Sequence, residues 1–135
     1  MKSAPSGTAE VPPKTLQSPI RHSALEELRM LAKDGSPHLV CRVVTLYLSH
    51  SPENLKAMKE AVASGNYVTA GRAAHSLISS SAVVGAMGLS ALCAEMEKCC
   101  SSGGGEDTSA LCCRIQEEHG AVLEALSTEL RRLTS

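Results

Sequence analysis

Tryptophan and phenylalanine are missing from this chain, and its only tyrosines are Tyr47 and Tyr67. A core must therefore be built from Leu, Val, Ala, Met and Cys, which suits close helix packing and leaves no set of aromatic faces on which bases could stack. An excess of one charge is missing too: 13 Lys and Arg stand against 14 Asp and Glu, a formal net charge of −1. That speaks against nucleic acid or an anionic membrane as a partner held by bulk charge. No apolar run is long enough to cross a bilayer, and no signal-peptide apolar region opens the chain. The expectation is a cytoplasmic protein with no direct membrane contact, or the cytoplasmic part of a longer, membrane-anchored one.

Other absences narrow the chemistry. There is no Gly-rich nucleotide loop and no paired set of kinase motifs, so the chain is not expected to carry a kinase site of its own. The six cysteines, Cys41, Cys93, Cys99, Cys100, Cys112 and Cys113, include no Cys-x-x-Cys. Adjacent cysteines on a helix point about 100° apart, so no metal is expected to bind. Free thiols, several of them acting as small core hydrophobes, are the expected state. A helical metal or redox module using cysteines with His119 or His75 is the third-ranked reading. His22, His38, His50 and His119 fall at helix starts, helix ends or an exposed stripe and read as structural or solvated.

No strand signature is present. Residues 1–19, rich in Ser, Pro, Thr and Ala, read as a disordered linker or leader, and residues 20–135 as one helical domain. Six helices are expected. The first runs from Ser23 or Ala24 to Lys33, with Ser23-x-x-Glu26 as a capping box, Leu25, Leu28 and Leu31 or Ala32 facing inward, and Asp34-Gly35 as its stop. Ser36-Pro37 starts a second helix that closes at Ser49 to Ser51, and Ser51-Pro52 starts a third that ends at Ser64-Gly65-Asn66. The fourth spans Tyr67 to Val84, the fifth Met87 to Cys100, and the sixth Glu106 to Leu133. Glu124, Glu129, Arg131 and Arg132 read as a solvated face of the sixth. Helices joined by short loops imply an all-α, antiparallel bundle.

The stretch Ala70 to Cys93 is the most informative. His75 stands there in a run of small and aliphatic residues. At about 100° per residue, Ala73, Leu77 and Val84 point away from the imidazole, while Val68, Gly71, Arg72, Ile78, Ser79 and Ala82 share its side. The stripe that must face a core is thus not the stripe carrying His75. An imidazole on the outer face of a rigid helix, among short side chains, is open to another macromolecule.

The residues Ala74-His75-Ser76-Leu77, the small run Ser79 to Ala82, Val84-Gly85, then Leu89, Cys93 and Glu97 resemble the core motif of the histidine-containing phosphotransfer (HPt) family. The likeness extends upstream through Gly35-Ser36-Pro37, Ser51-Pro52-Glu53-Asn54-Leu55 and Ala61-x-x-x-Gly65-Asn66, and covers about Leu25 to Cys100. The resemblance implies an antiparallel four-helix bundle that contains the His75 helix, with one or two additional capping helices. It also implies a phosphocarrier of a multistep phosphorelay, without a kinase site of its own. His75 would take a phosphoryl group from a receiver-domain aspartate and pass it to another receiver. The chain itself would bind no cofactor; Mg²⁺ would belong to the receiver. Val68, Gly71, Ile78 and Ala82 would form the receiver-docking rim, and a monomer is expected. The leader favours the tail of a hybrid sensor kinase, with a histidine kinase in the same polypeptide, over a free-standing protein.

Two positions depart from the family pattern. Ile78 stands where the family has a Lys three residues after the histidine, and Ser79 where it has a Gly. Arg72, one turn before His75 on the same face, could supply the missing charge, and the Ser79 hydroxyl could meet the phosphate. The competing reading is a degenerate HPt that binds a receiver as a scaffold without carrying phosphate.

Overall fold

A computed structural model describes residues 18–134, and among them there are five α-helices and no strand. They are α1 (His22–Leu31), α2 (His38–Ala63), α3 (Tyr67–Val83), α4 (Met87–Ser101) and α5 (Glu106–Thr134). Three short turns, Ser64–Asn66, Val84–Ala86 and Ser102–Gly105, join α2 to α5, and turns this short make successive helices antiparallel neighbours. The long α5 packs back on α2 as well as on α4, which closes α2–α5 into a four-helix ring; α1 lies against α2 as the one additional helix. No helix among the described residues is long and apolar enough to cross a membrane. Of the expected leader, residues 1–17 lie outside the described residues; Ile20, just past its end, is already buried.

The expected second and third helices are a single 26-residue helix with Pro52 inside it. Pro at an interior position removes one backbone hydrogen bond and crowds the preceding turn, at about 3 kcal/mol. Against this runs one unbroken buried stripe, Val40, Val44, Tyr47, Ser51, Leu55, Met58 and Ala61, at helical spacing on both sides of the proline. Burying Leu55 and Met58 alone is worth about 1.5–3 kcal/mol each, so the stripe outweighs the break, and Pro52 itself faces solvent.

The start signals read from the sequence also differ. Helix α1 begins at His22, before Ser23, and neither α1 nor α2 has a side-chain cap. The Ser36 backbone N–H instead donates to Asp34 Oδ1 at 3.0 Å, forming a turn before α2. Leu31 is exposed, not inward. Gly85 follows the last turn of α3 with φ of 85°, as expected of a glycine stop. The stop expected at Asp34-Gly35 is not the observed one: α1 ends at Leu31, with Ala32 already extended, and Gly35, φ 68°, lies in the turn beyond.

The core is aliphatic and sulfur-rich. Met58, Leu77, Leu89, Cys93, Met96, Ile115, Val122 and Leu126 are fully buried around the bundle axis. Cys93, Cys100 and Cys112 are buried free thiols, in line with their reading as core hydrophobes, and burial pushes the Cys93 thiol up to about 12. Two polar residues read as outward turn in. His119 is buried, its Nε2 2.8 Å from the Ser51 hydroxyl of α2 and its ring centroid 6.4 Å from that of Tyr47. Glu129 is also buried, paired with Arg132 on its own helix and with His22 at 3.4 Å, which ties the start of α1 to the end of α5.

Candidate functional site

Helix α3 is fixed at its start by Asn66, whose side-chain Oδ1 accepts from the Thr69 backbone N–H at 3.2 Å. Its inner face is nearly all small: Ala70, Ala73, Ala74 and Ser81 flank Leu77, and all five are buried. Small side chains let α3 lie close to its neighbours. At Gly71 the approach is tightest, since a Cβ there would sit 3.3 Å from Cys100 Cβ on α4. The inward side expected of this helix is therefore the observed one, and it leaves His75 facing out.

The His75 side chain is 71 % exposed, and its Nδ1 lies 2.8 Å from Glu97 Oε2 on α4. Two acceptors cannot approach so closely without a proton between them. The ring proton therefore sits on Nδ1, donating to the carboxylate, and the other nitrogen, Nε2, is left for an incoming group. Among the described residues no hydrogen bond or ion pair engages that second nitrogen.

An open groove of about 650 Å³ runs between α3 and α4 and is lined by residues of both, among them Tyr67, Val68, Gly71, Arg72, His75 and Glu97. Arg72 thus shares the groove with His75. At the far end the Tyr67 ring covers Gly104, where φ is 75° and a Cβ would fall 2.5 Å from the ring.

The residues read as one docking rim separate into two groups. Val68 is 68 % exposed and sits with Gly71 in the groove. Ser79 is exposed, whereas Ile78 and Ala82 are half-buried. Ile78 packs against the core, and its carbonyl accepts from the Ser90 hydroxyl of α4 at 2.8 Å. With Val68 and Ser79 exposed and Ile78 and Ala82 half-buried, the rim is not one flat surface. Glu97 belongs to the sequence pattern but carried no assigned role there, because helical spacing says nothing about which residue on another helix reaches the ring. Among the described residues no three His, Cys, Asp or Glu side chains gather as a metal site requires.

Comparison with known proteins follows this geometry. The family model described as Hpt domain matches residues 42–133, more than half of the chain. A search of the curated proteins gives no match. Among solved structures, the chain is similar to histidine-containing phosphotransfer protein B (HptB) from Pseudomonas aeruginosa PAO1. That match has a TM-score of 0.75 and 22 % identity, and covers 84 % of this chain and 95 % of the other. At that identity the likeness speaks for the fold.

Proposed function

The chain belongs to the Hpt domain family, whose members are phosphocarriers of phosphorelays that work with receiver domains and are not kinases, and from that premise we propose that His75 is the phosphoryl acceptor. The observation that carries this is the exposed imidazole whose Nδ1 is held by Glu97 at 2.8 Å.

The step needs little covalent machinery from this chain. The Nε2 lone pair attacks the phosphorus of a receiver's aspartyl phosphate; the P–O bond breaks as the N–P bond forms, and the aspartate leaves as a carboxylate. The ring gains positive charge, which the Nδ1–H···carboxylate contact with Glu97 stabilises. The reverse step on a second receiver returns the ring to its starting state. Positioning and charge neutralisation dominate phosphoryl transfer. Glu97 fixes the tautomer and ring orientation, Arg72 supplies positive charge within the same groove, and the Ser79 hydroxyl lies one turn along the exposed face. Val68 and Gly71 give the receiver room to approach. Mg²⁺ belongs to the receiver in this scheme.

The scaffold alternative rests on Ile78, which brings no charge to the position where the family carries Lys. Incubation with a phosphorylated receiver and Mg²⁺ separates the two. Acid-labile, base-stable label on the wild type and none on His75→Gln supports transfer; receiver binding without label on either supports the scaffold.

A further inference from the structure

Among the described residues, two polar contacts cross from α4 to α3. One is Glu97 Oε2 to His75 Nδ1. The other is the Ser90 hydroxyl, which donates to the Ile78 carbonyl at 2.8 Å. The buried faces of the two helices are otherwise largely small or apolar, with Ala70, Ala74 and Leu77 on α3 and Leu89, Cys93 and Met96 on α4. Faces of this kind hold helices together but say little about register, which buried polar contacts specify. The outer contact is a poor candidate for that task. The His75 and Glu97 side chains are 71 % and 40 % exposed, and a pair in that much water adds little. Ser90 is only 9 % exposed. A buried hydroxyl penalises every arrangement that leaves it without an acceptor. A helical carbonyl has two lone pairs, so Ile78 can accept from Ser90 without giving up its own helix bond.

We propose that Ser90 is a positioning residue for phosphotransfer: its bond to the Ile78 backbone fixes α4 against α3 and thereby brings Glu97 to Nδ1 of His75. This rests on the phosphotransfer reading of His75. Glu97 lies seven residues beyond Ser90, nearly two full turns, and so on the same face of α4. A rotation of α4 about its axis moves the two together, so the bond that holds Ser90 also aims Glu97. On α3, His75 lies three residues before Ile78. Measured from the Ser90–Ile78 bond, Glu97 is about 10 Å along α4 and His75 about 4.5 Å along α3 in the same direction. The difference of about 6 Å closes because helical side chains lean towards their own N-terminus. In an antiparallel pair the His75 and Glu97 side chains therefore lean towards each other.

The test uses the full chain and reads the His75 ring directly, from its nitrogen NMR shifts at about pH 8, where a free imidazole is neutral. Transfer is measured with the purified phosphoreceiver that labels the wild type fastest. The wild type is expected to hold His75 mainly in the Nδ1–H form. Ser90→Ala should shift the ring towards the Nε2–H form and slow transfer about fivefold, less than Glu97→Ala, because the carboxylate is displaced rather than removed. Ser90→Thr keeps the hydroxyl and should restore both readings. Tyr47→Phe removes the other buried side-chain bond to α3, the one made with Ser81 from α2. It should lower the urea midpoint and leave the tautomer and the rate as in the wild type. In a Glu97→Ala background Ser90→Ala should slow transfer no further, since the two residues act through one route. A wild-type tautomer and rate in Ser90→Ala, a tautomer shift as large in Tyr47→Phe, or a further slowing in the Glu97→Ala background would each overturn the proposal. If the receiver leaves the wild type unlabelled, the phosphotransfer reading fails separately. The tautomer then decides the role of Ser90, a shift in Ser90→Ala supporting it and an unchanged ring overturning it.

Discussion

At the scale of the residue, the transfer proposed for His75 depends on the neighbours that orient the ring. Glu97 holds Nδ1 across the α3–α4 interface, so Glu97→Ala frees the ring to rotate and to change tautomer. A loss of alignment of this kind slows transfer about tenfold or more. Glu97→Gln keeps an acceptor for Nδ1–H and is expected to recover part of the loss, with both variants read by the rate of label transfer from a phosphoreceiver. Arg72 is the cation that shares the groove, and Arg72→Ala should slow transfer about tenfold. Ile78→Lys in that background tests whether charge or position matters: a long stem can lie along the surface and place its ammonium at the rim, so the double variant should recover part of the rate. An unchanged rate in Arg72→Ala would sink the assignment of charge to Arg72. The histidine itself was legible from one helix, because its period alone separates the stripe of Ala73 and Leu77 from the outer face. Glu97 was not, since its role depends on how α4 is rotated against α3, and the same holds for the pairing of Ser51 with His119.

At the scale of the element, α2 shows where local signals mislead. Ser-Pro pairs mark helix starts because Pro fits the first turn, and the chain has two of them, at Ser36-Pro37 and Ser51-Pro52. Only the first precedes a real start, and even there the serine side chain caps nothing. The decisive quantity was the stripe from Val40 to Ala61, visible in the sequence as helical spacing but outweighed in the reading by the proline. The exposed Pro52 removes a hydrogen bond that the burial of this stripe offsets, so Pro52→Ala should raise stability by about 1–3 kcal/mol in urea denaturation. The opposite is expected at Gly85. Its φ is 85°, its carbonyl accepts from the Arg21 backbone N–H at 2.7 Å, and a Cβ there would sit 2.5 Å from Arg21 O. Gly85→Ala combines left-handed strain with a backbone clash and should cost about 2 kcal/mol or more. It should also raise hydrogen exchange in α1 before the bundle itself loosens, because that turn anchors the start of α1.

At the scale of the whole molecule, a bundle without Trp or Phe specifies its packing partly through a polar chain that crosses three helices. Tyr47 of α2 meets Ser81 of α3, and Ser51 of α2 meets His119 of α5. Burial pushes the Tyr47 phenol up to about 12 and holds the His119 imidazole below its ordinary value of 6.5. The unfolded chain therefore binds a proton at position 119 at a pH where the folded chain does not. That contribution to stability is fully present above pH 6.5 and declines as pH falls below it towards the depressed folded value. Glu129 acts in a separate window. Its hydrogen bond from Arg132 lowers its carboxyl from 4.5 and outweighs the opposing effect of burial, so its contribution holds above that pH and is lost as pH falls through the lowered value. Urea midpoints should then drop in two steps on acidification. His119→Gln, which can still hydrogen-bond Ser51 but cannot take up a proton, should flatten the step that begins near 6.5 and leave the one below 4.5 in place. Midpoints that fall between pH 6.5 and 5 as steeply in His119→Gln as in the wild type would show that the buried imidazole is not the group that senses acid.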